Sequence, residues 1–166
     1  MKKVSYTEYL SQALAQLPAG AFLTVKSGDM LNTMTIGWGT VGYIWRKPIF
    51  TVAVRYSRYS YELISNSSEF TVSFPLDNSL KRELAVCGTK SGRDIDKFKE
   101  CNLTAQPGQV VTTPVIGQCP LHYECKIVHK QVMEPGLLSP EINADCYKDR
   151  NYHTLYYGEV MACYLN

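Results

Sequence analysis

The hydrophobic residues change period several times along the chain. Tyr6, Tyr9, Leu10, Ala13, Leu14 and Leu17 recur at helical spacing, and Ser5 with Glu8 has the pattern of a capping box that would satisfy two orphan amides. Pro18 and Gly20 end that helix. Residues 21–25, 34–38, 49–54 and 70–74 are short β-branched or aromatic runs bounded by Gly, Pro, Ser, Asn or Asp, and they read as strands. Tyr59, Leu63 and Ile64 share one face of a short helix over 59–65, closed by the loop signal Asn66-Ser-Ser.

Further along, Leu80, Leu84 and Ala85 predict a helix over 78–86, followed by a flexible polar loop over 88–94. Asp94 is placed to cap the next helical turn, which Ile95 and Phe98 anchor. From Val115 onward the chain is β-rich. Leu121, Tyr123, Cys125 and Ile127 alternate with His122, Glu124, Lys126 and Val128, the mark of a half-buried strand whose second set faces water. A last strand is predicted over 153–164. Between these two strands, residues 135–150 read as a long surface loop, longer than hairpins need and so a candidate for function. Seven or so short strands and three or four short helices, without regular βαβ alternation, predict a mainly β fold. The expected form is a closed or nearly closed antiparallel barrel with peripheral helices.

Composition narrows the class. The 166 residues suit a single domain over 1–166, large enough to bury a core without staples. Seventeen basic against fifteen acidic residues leave a net charge of +2, and no basic run exceeds Arg46-Lys47, so no nucleic-acid partner is expected. No stretch approaches the length of a membrane helix, and Glu8, Gln12, Gln16 and Pro18 break up any apolar leader after Met1-Lys2-Lys3. The six cysteines include no CxxC pair and are expected to be reduced thiols. A cytoplasmic protein with no membrane association is therefore expected.

Several short patterns invite chemical readings. Gly37-Trp-Gly-Thr-Val-Gly42 matches GxGxxG, but a dinucleotide site needs a helix straight after the turn, and Pro48 arrives too soon for the required crossover. A kinked strand or wide hairpin, in which glycine admits a close backbone or ligand, accounts for it better. Cys119-x-x-His122-x-x-Cys125 has the residue types of a zinc site. On a strand, however, His122 points opposite to both cysteines, so core thiols with an exposed His are expected and no metal. Arg55, Ser57, Arg58 and Ser60 follow a buried strand into a helix and combine guanidinium groups with hydroxyls, which suits a phosphate; a solvated strand end is the alternative. Lys90, Ser91, Gly92, Arg93 and Lys97 form a second basic loop before a helix. His153 precedes the aromatic strand Thr154-Leu-Tyr-Tyr-Gly-Glu-Val. No hydrolase or Walker pattern is present.

Several of these stretches together resemble one family. Asn32-Thr-Met-Thr-Ile-Gly-Trp-Gly39, Lys47-Pro-Ile-Phe-Thr-Val-Ala-Val-Arg-Tyr-Ser-Arg-Tyr-Ser-Tyr-Glu62, Glu69-Phe-Thr-Val-Ser-Phe-Pro75, Cys87-Gly-x-x-Ser-Gly-Arg-Asp-x-Asp-Lys-Phe98 and Tyr152-His-Thr-Leu-Tyr-Tyr-Gly-Glu-Val160 closely resemble the flavin reductase-like, FMN-binding split-barrel family, especially its flavoredoxin-like branch. The resemblance implies a six-stranded Greek-key split barrel that dimerises, with FMN near the subunit interface. Asn32, Thr33, Met34, Thr35 and Ile36 would line the isoalloxazine, with Trp38 shaping the pocket. Arg55, Ser57, Arg58, Tyr59 and Ser60 would hold the phosphate, while Cys87, Gly88, Ser91 and Gly92 would pass along the flavin's edge or phosphate, with Lys97 as a further cation. His153 would be a catalytic residue on the face where reductant or acceptor arrives. The implied activity is NAD(P)H-dependent reduction of flavin or of a small acceptor through FMN. The alternative is a flavoredoxin-like electron carrier that works with a redox protein.

Overall fold

The computed structural model describes all residues, 1–166. In chain order it contains β1 (Lys2–Lys3), α1 (Leu10–Gln16), β2 (Ala21–Ser27), β3 (Met30–Ile36), β4 (Gly39–Ile44) and β5 (Lys47–Arg55). Then come α2 (Tyr59–Ser65), β6 (Glu69–Phe74), α3 (Lys81–Thr89), α4 (Lys97–Glu100), β7 (Ala105–Gln106) and β8 (Val115–Ile116). The last elements are β9 (Leu121–Val132), α5 (Pro140–Cys146) and β10 (His153–Leu165).

The main ladder runs β3-β2-β6-β9-β10-β5-β4, antiparallel throughout, with β1 added against β10. Its two ends, β3 and β4, are joined only by Gly37 and Trp38 and share no rung. That seam leaves the outer edge of β3 without a strand partner, directly beside the C-terminal end of β5. No helix is long and apolar enough to cross a membrane.

Alternating residues fill the interior. Leu23 and Val25 of β2, Phe50, Val52 and Val54 of β5, Phe70, Val72 and Phe74 of β6, and Tyr123 and Cys125 of β9 share one core. Phe50, Phe74 and Tyr123 meet edge-on or tilted at its centre, with centroids 5.3–6.2 Å apart. A second cluster lies outside the sheet, where α3 brings Leu84 and Cys87 onto Phe22, Ile116 and Cys119. Strand β2 is thus buried on both faces, and its run of apolar residues shows no alternation for that reason.

A further cover corrects the reading of β9. His122 and Glu124 do face away from the core, but both are fully buried rather than exposed. Glu124 accepts the backbone N–H groups of Gln109, Val110 and Val111 at 2.6–2.9 Å and the Tyr164 hydroxyl at 2.7 Å. His122 pairs through Nδ1 with Ser73 Oγ at 2.9 Å. The segment that folds over this face is irregular, and no periodic pattern announces it.

Other local expectations also change. Ser5 and Glu8 form no capping box: Ser5 Oγ meets the amide and hydroxyl of Thr7, and α1 begins only at Leu10 behind Tyr9 without a side-chain cap. Asp96, not Asp94, caps α4, accepting from the amides of Phe98 and Lys99. Helix α3 runs on through Thr89, so Gly88 is helical rather than part of a loop. Residues 39–47 form a tight hairpin, not a wide one. Its turn residues Trp45 and Arg46 both have positive φ, 55° and 58°, as the twist of a two-residue hairpin demands. Trp45 rests edge-on against His129 and Tyr157. Gly39 lies so close to β5 that a Cβ there would sit 2.9 Å from the Thr51 carbonyl oxygen. The 135–150 loop contains helix α5, begun by Ser139, whose Oγ accepts from the Ile142 amide, and by Pro140 in its first turn.

Candidate functional site

Beside the seam, where the free edge of β3 faces the C-terminal end of β5, lie two adjoining cavities. The first, about 160 Å³, is lined by Met34, Thr35, Ile36, Gly37, Trp38, Ala53, Arg55, Arg58 and His153. The second, about 140 Å³, is lined by Asn32, Met34, Ser57, Arg58, Tyr59, Ser60, Cys87, Thr89, Lys90, Ser91, Gly92, Arg93 and Lys97. Met34 and Arg58 belong to both, so the two form one continuous trough.

The predicted residues divide between them. Thr33 and Gly88 line neither cavity: Thr33 turns to the other face of β3, where its hydroxyl donates to the Leu23 carbonyl at 3.2 Å, and the Gly88 carbonyl accepts from Arg58 Nη1 at 3.0 Å. Thr35 reaches the first cavity, although its hydroxyl donates to the Leu84 carbonyl at 2.6 Å. Arg55 lines the first cavity and not the second, where Tyr59 and Ser60 lie, and it meets Ser57 and Arg58 in a further cavity walled by Cys146, Asp149 and Asn151. Its guanidinium donates to the carbonyls of Asn151 at 2.7 Å and Cys146 at 3.0 Å, and lies over the rings of Tyr147 and Trp38. It clamps the β9–β10 connection onto the barrel.

The second cavity is rich in donors. Ser57 Oγ accepts from Asn151 Nδ2, Ser60 Oγ from Asn32 Nδ2, and Ser91 Oγ from the Arg93 amide, at 2.7–3.1 Å. None of the three hydroxyls has a protein acceptor for its own proton. Around them stand Arg58, Lys90, Arg93 and Lys97. Lys97 is buried, donates to the Cys87 carbonyl at 2.8 Å, and burial lowers its ammonium pKa. Arg93 pairs with Glu62 and lies over Tyr59. Gly92 passes so close to Asn32 and Tyr59 that any Cβ would overlap both. Cys87 is a buried thiol whose pKa burial pushes up to about 12, so it lines the cavity as a neutral group.

At the far end, His153 is buried beside Trp38, with ring centroids 5.0 Å apart. Its Nδ1 is 2.8 Å from the Tyr147 hydroxyl. Burial first, then the charges of Arg55 and Arg58, lower its pKa to about 4, so the imidazole is neutral at pH 7.

Tyr147 and Asn151 belong to the site without having been singled out from the sequence, and Lys90 and Arg93 belong to it more fully than their loop suggested. Ser139-Pro140, a cap residue followed by proline, was the available sign that the connection folds back as a helix. A model described as "Flavin reductase like domain" matches residues 15–166. The chain belongs to the flavin reductase-like family.

Similar proteins share much of its length. A protein of Archaeoglobus fulgidus is 29% identical over 158 residues, covering 95% of this chain and 75% of its own. Among solved structures, the flavoredoxin of Desulfovibrio vulgaris (Miyazaki F) is similar with a TM-score of 0.70 and 26% identity, over 89% of this chain and 69% of that one. The flavoredoxin of Methanosarcina acetivorans is similar with a TM-score of 0.68 and 25% identity, over 89% and 68%. A putative flavin reductase with split barrel domain from Shewanella frigidimarina shares the fold, with a TM-score of 0.68 at 15% identity over 89% of this chain and 66% of that one. In this chain the trough lies beside the open seam between β3 and β4.

Proposed function

We propose that this chain binds FMN in the two-part trough and acts as a flavin oxidoreductase, with NAD(P)H as reductant and flavin or a small molecule as acceptor. The observation that carries the reading is the donor set of the second cavity. Three serine hydroxyls, each already accepting a bond and free to donate, face the same space as Arg58, Lys90 and Lys97. That chemistry fits a phosphate monoester, which offers only acceptors and negative charge. The first cavity, walled by Met34, Ile36, Trp38 and Ala53, fits a flat ring system, and the free edge of β3 supplies backbone polar groups to its rim. Bound FMN would supply the hydride chemistry. The protein's part is to hold the phosphate, orient the ring and leave one face open between Trp38 and His153.

A second reading, an electron carrier that meets a redox protein, is favoured by one observation: the similar structures at 25–26% identity are flavoredoxins. We also propose a homodimer. The hairpin residues Tyr43, Ile44 and Trp45 and the β9 residues Val128 and Val132 are exposed apolar side chains for a second copy to cover.

Titration with FMN under anaerobic conditions tests the reading. Stoichiometric binding, followed by bleaching with NADH or NADPH, supports the reductase; bleaching only by a reduced iron–sulfur protein supports the carrier. A preparation that binds no FMN overturns both. Sedimentation at micromolar concentration checks the dimer, and a monomer there refutes it.

A further inference from the structure

We propose that Tyr147 is a positioning residue that fixes the tautomer of His153, so that its Nε2–H is presented to the first cavity as a neutral hydrogen-bond donor. This rests on the reading of that cavity as the flavin-ring and substrate site, and deepens it.

The imidazole has two distinct nitrogens. Nδ1 lies 2.8 Å from the Tyr147 hydroxyl, in a contact sealed from solvent. A phenol is a far stronger acid than a neutral imidazole N–H, so the hydroxyl donates and Nδ1 accepts. The ring proton then resides on Nε2. That atom has no partner in the protein, yet it is not among the side-chain atoms sealed from solvent without one, which are His122 Nε2 and Thr154 Oγ1. It opens onto the cavity that His153 lines.

The surroundings keep this arrangement rigid. Tyr147 stacks on Tyr152 with centroids 4.8 Å apart, and Tyr152 donates its hydroxyl to Asn143 Oδ1 of α5. Arg55 grips the carbonyls on either side of Tyr147 and covers its ring. On its other side His153 meets Trp38, and its backbone is fixed in β10 opposite Arg55. The charged groups facing the imidazole are Arg55 and Arg58, both cationic, which oppose a second proton on the ring.

A neutral N–H in this position can hold an electron-rich oxygen or nitrogen of the bound molecule without transferring its proton. The group that recognises the acceptor is thus built jointly by β10 and the β9–β10 connection. It exists only while that connection is clamped down.

The test uses the full chain with ¹⁵N-labelled histidine. Wild-type protein, with and without FMN, should show His153 as the Nε2–H tautomer at pH 7, and Tyr147→Phe should show a mixture of the two. Kinetically, Tyr147→Phe should lower kcat about tenfold, the effect of about 1.4 kcal/mol, with FMN affinity within a factor of two. His153→Gln, which keeps an N–H donor, should retain more activity than His153→Leu. An Nδ1–H tautomer in wild-type protein overturns the proposal whatever the variants do, as does an unchanged tautomer in a folded Tyr147→Phe protein. Loss of FMN binding by the wild type would instead refute the flavin reading, leaving the tautomer result to stand by itself.

Discussion

Asn32 and Ser60, 28 residues apart in sequence, meet through a 2.8 Å hydrogen bond from Asn32 Nδ2 to Ser60 Oγ, both side chains being buried. The bond ties the edge strand β3 to the first turn of α2 and aims the Ser60 hydroxyl proton into the second cavity. Asn32→Ala should therefore weaken FMN binding about fivefold and reduce folding stability by about 1 kcal/mol, because one buried hydrogen bond is lost and its acceptor is orphaned. Fluorescence titration and urea unfolding measure the two effects. Unchanged affinity would show that Ser60 does not contact the ligand.

The two arginines should behave differently. Arg58 spans both cavities, whereas Arg55 is occupied with the carbonyls of Cys146 and Asn151. Arg58→Ala should cost about 1.5–3 kcal/mol of FMN affinity through loss of a charged contact, and should spare riboflavin, which lacks the phosphate. Arg55→Ala should weaken FMN and riboflavin alike and raise protease cleavage within residues 140–151. If Arg55→Ala discriminates between the two flavins and Arg58→Ala does not, their roles are exchanged.

Acid should destabilise the fold well above the carboxylate range. Burial is the leading cause that lowers both His122 and His153 to about 4 in the folded protein, against 6.5 when unfolded. The unfolded chain binds those protons first, so stability is full above about pH 6.5, falls as pH drops toward 4, and levels off for these groups below that. Between pH 7 and pH 5 each histidine should remove about 2 kcal/mol. Urea midpoints at the two pH values provide the measurement. His122→Gln should remove about half of the slope, and an unaltered slope would refute the assignment to His122.

Glu124 offers a stability test remote from the trough. Its carboxylate accepts three backbone amides and the Tyr164 hydroxyl in a buried setting. Glu124→Ala orphans all four donors and should cost more than about 3 kcal/mol, read from the shift in chemical unfolding. A loss below about 1 kcal/mol would mean that water replaces the carboxylate.

The barrel was legible in the sequence wherever a strand is a compact apolar run between turn residues. Residues 49–54 and 70–74 fall within β5 and β6 because they are β-branched or aromatic runs bounded by turn residues. Strand β4 was harder to see, since its turn is Trp45-Arg46 rather than Asn-Gly, and packing of Trp45 on His129 and Tyr157 accompanies this unfavourable backbone. The alternation on β9 predicts exposed His122 and Glu124 because the segment that covers Glu124, residues 109–111, is irregular and carries no periodic pattern of its own. The site was legible as Asn32–Trp38, the Arg-Ser stretch and the loop after α3. Tyr147 could not be read there, because Ser139-Pro140 signals only that a helix begins, while the contact joining Tyr147 to His153 is set by where the end of α5 packs against the barrel.

The clamp made by Arg55 has one more implication. It grips backbone carbonyls, which every residue supplies, rather than the side chains of Cys146 and Asn151. The two gripped positions can therefore change identity without loosening the hold, whereas a shorter side chain at position 55 would lose it. Within the β9–β10 connection, Cys146 can thus vary freely as far as the clamp is concerned, whereas Tyr147 and Asn151 are held to their identities by side chains that reach His153 and Ser57.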